Sequence, residues 1–180
     1  AGSVLMMTTS TKRFTSDVGG LVYGVTLTGC LPAASILLLP SDATPSLAIP
    51  SWFLLLICLT EVNDITAAWF GRALGRHKLA PTLSPNKTME GFIGGTLTTI
   101  TLAILIGPHL TAMSHATSGI LGLAIAIAGT LGDLNMSAIK RSAGVKDSGD
   151  VLPGQGGILD RIDSLTFTAP VALLLMKVLS

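Results

Sequence analysis

Five stretches of the chain come close to the ~20 predominantly apolar residues that a helix needs to cross a bilayer at ~1.5 Å per residue. They are Val18 to Leu39, Leu47 to about Arg72, Phe92 to about Met113, Ser118 to about Arg141, and Ile162 to Leu179. Charged residues are 12% of the 180, half the roughly 25% usual in soluble domains, and the mean hydropathy is +0.69. The apolar runs are continuous where a transmembrane barrel would alternate. The expected fold is therefore all-α, a polytopic integral membrane helical bundle of about five transmembrane helices, forming a single membrane domain over residues 1–180. Eleven Lys+Arg against 10 Asp+Glu leave a net charge of +1, too little for the basic surface that nucleic-acid binding requires.

Alternating the five segments places Lys12, Arg13, Arg72, Arg76, Lys78, Lys87, Lys140, Arg141, Lys146 and Arg161 on one side, with only Lys177 opposite. By the positive-inside rule the crowded side is cytoplasmic. The connections there, about Arg72 to Lys87 and Lys140 to Arg161, also hold most of the Gly and Asp, and so are where chemistry is expected. The opposite turns, around Ser41 to Ser46 and Ser114 to Thr117, are short and nearly uncharged.

Ionisable groups within spanning segments are costly and point to function by default. Glu61, Asn63 and Asp64 interrupt the second segment. In the fourth, Gly122, Ala126, Gly129, Asp133, Ser137 and Lys140 share one helical face, so small residues that admit a neighbouring helix lead to a carboxylate, a hydroxyl and an ammonium. A structural ion pair between Asp133 and a cation such as Lys140 is the alternative reading. Asp160 and Asp163 add two carboxylates at i, i+3; N-terminal capping and dipole compensation are their bland explanation, weaker for Asp163.

Aspartates from several segments without soft ligands suit a hard cation, Mg²⁺ or Mn²⁺. His77, His109 and His115 lack metal-ligand spacing with the cysteines, which argues against zinc. Lys87, Lys140, Arg141 and Lys146 stand near these acids. Carboxylates for the cation and basic groups for phosphate oxygens are the parts of a phosphoryl-transfer site. The turn Pro153-Gly154-Gln155-Gly156-Gly157 offers backbone N–H groups to a phosphate, although glycines also merely redirect chains. No GxxxxGK[ST] loop is present, against an ordinary nucleoside-triphosphate hydrolase.

The run from Ser137 through Lys140-Arg141, Lys146-Asp147 and Pro153-Gly-Gln-Gly-Gly157 to Asp160-Arg-Ile-Asp163 closely resembles the signature of the phosphatidate cytidylyltransferases, or CDP-diacylglycerol synthases. Asn63-Asp64, Phe70-Gly71-Arg72, Gly75-Arg76-His77-Lys78 and Ser84-Pro-Asn-Lys-Thr-Met-Glu-Gly91 are similar to that family too, so the resemblance covers about Leu54 to the C-terminus. It implies an enzyme of the bacterial inner membrane that makes CDP-diacylglycerol and pyrophosphate from CTP and phosphatidate, with Mg²⁺ (or Mn²⁺), a cytoplasmic-side active site and a homodimeric state. At matching positions Asp133, Asp160 and Asp163 would form the metal and catalytic centre with Lys140 as basic partner. Asn63, Asp64, Ser84, Asn86 and Lys87 would line the same cavity, with Arg141, Lys146 and Asp147 on the substrate side.

Gln155 departs from the commonest form of the signature, which has His there, and a neutral amide cannot titrate. Family members also usually carry more hydrophobic segments before this part, so helices are expected upstream of the sequence given. A CTP-dependent polyprenol or lipid kinase would share the cavity chemistry, and a transporter or a catalytically weak scaffold is the non-enzymatic alternative.

Overall fold

The computed structural model describes residues 51–142 and 164–179. Within them the order is α1 (Ser51–Leu74), β1 (Lys78–Ala80), β2 (Ser84–Thr88), α2 (Met89–Leu110), α3 (His115–Ser142) and α4 (Leu165–Leu179). Three of these helices, α1, α2 and nearly all of α3, are long and apolar enough to cross a membrane. They correspond to the second, third and fourth expected spans. The expected first span lies outside the described residues. The expected fifth corresponds to α4, of which the 15 residues Leu165–Leu179 are described. Among the described residues three of the five expected spans are thus present as membrane-length helices.

The connection after α1 corrects the all-helical expectation in a small way, because β1 and β2 pair antiparallel through Lys78↔Thr88 and Ala80↔Ser84. The intervening turn begins at Pro81. Pro85 is tolerated in β2 because a two-stranded sheet has only edge strands, where a missing N–H need not break a ladder.

Local chemistry sets the helix ends. Thr88 caps α2, its hydroxyl accepting the Gly91 N–H at 3.1 Å. At the far end of α2 the Thr111 N–H returns to the Gly107 carbonyl at 2.9 Å, beside Pro108. Ser114 opens α3, with its Oγ accepting the Thr117 N–H at 3.2 Å.

The helices pack in sequence, α1 on α2, α2 on α3 and α3 on α4, with α1 also meeting α3 and α4. Contact is close because one face of α2, Gly91, Gly95, Thr99, Ala103 and Gly107, is small and buried at four-residue spacing. A Cβ at Gly91 would stand 2.5 Å from the Ala67 carbonyl oxygen of α1. One at Gly122 of α3 would stand 2.7 Å from the Ala103 Cβ. The apolar core lies towards the end remote from the hairpin, where Leu55, Leu56, Leu59, Ala103, Leu121, Ile125, Ala169 and Ala172 meet.

Between core and hairpin the helices exchange polar contacts: Thr60 donates to Thr168 Oγ1 at 3.2 Å and Thr99 to Asn63 Oδ1 at 3.3 Å. These satisfy side-chain groups at a depth where hydrocarbon would offer them no partner.

Candidate active site

At the hairpin end the small faces no longer fill the space, and a cavity of about 260 Å³ opens. Its wall is built from four elements. α1 supplies Asn63, Asp64, Ala67 and Ala68; the hairpin supplies Leu79, Ser84, Asn86, Lys87 and Thr88; α2 supplies Phe92; α3 supplies Thr130 and Asp133. All six of the expected residues Asn63, Asp64, Ser84, Asn86, Lys87 and Asp133 thus surround one volume.

Depth follows from helix geometry. Asp64 lies ten residues before the end of α1 and Asp133 nine before the end of α3, so each stands ~14–15 Å below its helix end. Lys87 crosses from the hairpin to form an ion pair with Asp133, both side chains about three-quarters buried. Asp64 accepts a hydrogen bond from Ser164 Oγ at 2.7 Å, just ahead of α4. Asn63 is buried, its Oδ1 occupied by Thr99.

Within the intramembrane cluster of α1 the side chains separate. Glu61 is exposed on the outward face with Ile65 and Trp69, one and two turns on, while Asn63 and Asp64 turn inward. Lys140 and Arg141 stand about two turns beyond Asp133 on α3, outside the cavity wall. Lys146, Asp147, Gln155, Asp160 and Asp163 lie outside the described residues.

Among the described residues no three His, Cys, Asp or Glu side chains converge as a metal-binding group. The oxygens that line the cavity, carboxylates of Asp64 and Asp133 with amide and hydroxyl oxygens of Asn86, Ser84 and Thr130, are hard ligands of the kind Mg²⁺ takes. Among the described residues of the wall, Lys87 is the basic group that faces them. An oxygen-lined hollow with an ammonium in it, reached from the polar end of membrane-length helices, suits a phosphorylated substrate.

Two features escaped the sequence reading. Thr130 precedes Asp133 by one helical turn on the same face, a spacing that was legible. The contact between His77 and Glu90 at the hairpin base joins a loop histidine to a helix start, and no local pattern announces it.

These residues define a polar site among helices long and apolar enough to cross a membrane. Residues 3–179 match the cytidylyltransferase family, and the chain belongs to that family. It is similar to the uncharacterized protein YnbB of Escherichia coli, 46% identical over 88% of this chain and 53% of the relative. It is also similar to the phosphatidate cytidylyltransferase of Staphylococcus epidermidis, 41% identical over 69% of this chain and 48% of the relative. A third relative is the phosphatidate cytidylyltransferase of Staphylococcus aureus, 45% identical over 64% of this chain and 45% of the relative. The chain spans about half the length of these curated relatives.

Proposed function

We propose that this chain carries the catalytic part of a CTP:phosphatidate cytidylyltransferase, acting at the cytoplasmic face of the membrane as a homodimer. The observation that carries the reading is the cavity shared by Asn63, Asp64, Ser84, Asn86, Lys87 and Asp133 at the basic end of the bundle. Family membership and the printed activity of the staphylococcal relatives support the choice of substrates.

In the reaction a phosphate oxygen of phosphatidate attacks the α-phosphorus of CTP, forming the new P–O bond as the α–β P–O bond breaks. Pyrophosphate leaves, and CDP-diacylglycerol remains in the bilayer. The attacking monoester has a second pKa near ~6 and is largely dianionic at neutral pH. No protein base is needed, so Gln155 is compatible with turnover.

The chain's own contribution is positioning and charge neutralisation. Lys87 holds phosphate oxygens, Ser84 and Asn86 hydrogen-bond to them, and Asn63 fixes the cavity floor between α1 and α2. Lys140, Arg141, Lys146 and Asp147 are proposed to act on the substrate side, the three cations through their charge on phosphate oxygens. Asp133, Asp160 and Asp163 are proposed to hold Mg²⁺ (or Mn²⁺), with Asp64 adjoining. The cation supplies neutralisation of the triphosphate charge.

The test is incubation of detergent-purified protein with phosphatidate, CTP labelled in the cytidine, and Mg²⁺. The expected outcome is a lipid-linked cytidine with one pyrophosphate released per product. Release of CDP with a phosphorylated lipid would instead define a kinase, and absence of any lipid product would overturn the proposal.

A further inference from the structure

Neither His77 nor Glu90 lines the cavity, yet both sit where the hairpin that furnishes Ser84, Asn86 and Lys87 joins the helices. His77 immediately precedes β1, and Glu90 is the second residue of α2. Both carboxylate oxygens of Glu90 accept the His77 backbone N–H at 3.2 Å, and Glu90 Oε1 meets His77 Nδ1 at 2.6 Å. The Met89 N–H donates in turn to the His77 carbonyl at 2.9 Å. The two feet of the hairpin are thereby tied together by backbone and side chain at once.

The hairpin needs such a tie. Two strands alone are marginally stable in water. Here β1 has three residues, β2 includes a proline without an N–H, and the register is irregular between Lys78 and Ala80. Thr88 supplies the second anchor. It is buried, and its side chain lies so close to α1 that a Cβ at Gly71 would stand 3.0 Å from its Oγ1. Lys87, the next residue back, therefore leaves the anchored foot in a fixed direction towards Asp133.

We infer that Glu90, with His77, is a positioning residue that holds the hairpin at the register from which Lys87 and Asn86 reach the cavity; its effect on turnover rests on the cytidylyltransferase reading above. His77 is 78% exposed and Glu90 25%, and exposed ion pairs contribute little to global stability. The clamp consequently acts on geometry: loosening it displaces Lys87 without unfolding the bundle. Glu90 at the start of α2 also lies well in the field of the helix N-terminus, which favours the charged carboxylate there.

The experiment compares the wild-type protein in detergent with Glu90→Gln, Glu90→Leu and His77→Ala by amide hydrogen exchange and by steady-state CTP kinetics. Glu90→Gln keeps one carbonyl oxygen for the His77 N–H and gives the smaller change. Glu90→Leu gives exchange faster by about tenfold across Lys78–Thr88 with α1 and α3 unchanged, and kcat/KM for CTP lower by about tenfold. His77→Ala, which keeps its backbone N–H, falls between them.

Exchange and kcat/KM both within twofold of wild type in Glu90→Leu and His77→Ala overturn the inference. So does faster hairpin exchange with unchanged kcat/KM, or faster exchange spread through α1 and α3 in the Gln variant. If the wild-type protein makes no cytidine lipid, the functional reading has failed, and hydrogen exchange alone still decides whether the clamp exists.

Discussion

Lys87 and Asp133 come from a strand and a helix far apart in the chain, and their pairing is the contact most open to a decisive measurement. As a purely structural pair, three-quarters buried, it would lose about 3–5 kcal/mol when one partner is removed. As a charge placed for phosphate oxygens, Lys87 acts on the transition state, where loss of one such group costs about 10²–10³ in rate. Lys87→Met is therefore expected to lower kcat/KM by about 10² or more and to shift the apparent Tm by no more than about 3 °C. Lys87→Arg should recover part of the rate, since the charge persists while the fork geometry differs. Turnover and thermal unfolding measured on the same preparations check this, and a large fall in Tm with turnover little changed would leave a structural pair. Inward placement of Asn63 and Asp64 was implied by the family resemblance, while the expense of polar groups in lipid marked Glu61, Asn63 and Asp64 alike. The outward turn of Glu61 was not, because an isolated polar residue does not reveal which face of its helix meets neighbours.

At the scale of elements, the three long helices were readable from hydropathy, with ends displaced by a few residues. The third expected span began at Phe92, whereas Thr88 caps the helix at Met89. The Ser-Pro-Asn-Lys-Thr stretch reads as a loop because strand pairing is a non-local property, and five residues with a proline carry little β propensity of their own. The stripe on α3 was visible as spacing; the matching stripe on α2 decides how near the helices lie. Gly91→Ala places a methyl against the Ala67 carbonyl oxygen, which backbone cannot easily yield. A loss of about 1–3 kcal/mol is expected, read as a lower apparent Tm in detergent. Gly119→Ala is the control, because its nearest neighbours are Ile104 side-chain atoms at 3.2 and 3.3 Å that can turn aside. A Tm for Gly91→Ala equal to that of Gly119→Ala would mean that the α1–α2 crossing has room for the methyl.

Across the whole molecule, polarity is divided between two ends. The hairpin end collects Arg72, Arg76, Lys78, Lys87, Lys140 and Arg141, while the end where α2 turns into α3 has His109 and His115 in the flanking helix ends and, among the described residues, no Lys or Arg. That asymmetry was readable directly from sequence; what hydropathy could not show is that the helix of the last apolar run starts beside Asp64. The same asymmetry predicts orientation. CTP is soluble and cytoplasmic, so a cavity that uses it must open on that side, and the hairpin must lie there with it. In a background with Cys30 and Cys58 replaced by Ser, single cysteines at Thr82→Cys in the exposed hairpin turn and Ala112→Cys in the exposed opposite turn report the two faces. A membrane-impermeant maleimide applied to intact spheroplasts should label Ala112→Cys at once and Thr82→Cys only after the membrane is broken. Labelling of Thr82→Cys in intact spheroplasts would put the cavity on the face without CTP, and the proposed reaction would have no nucleotide to use.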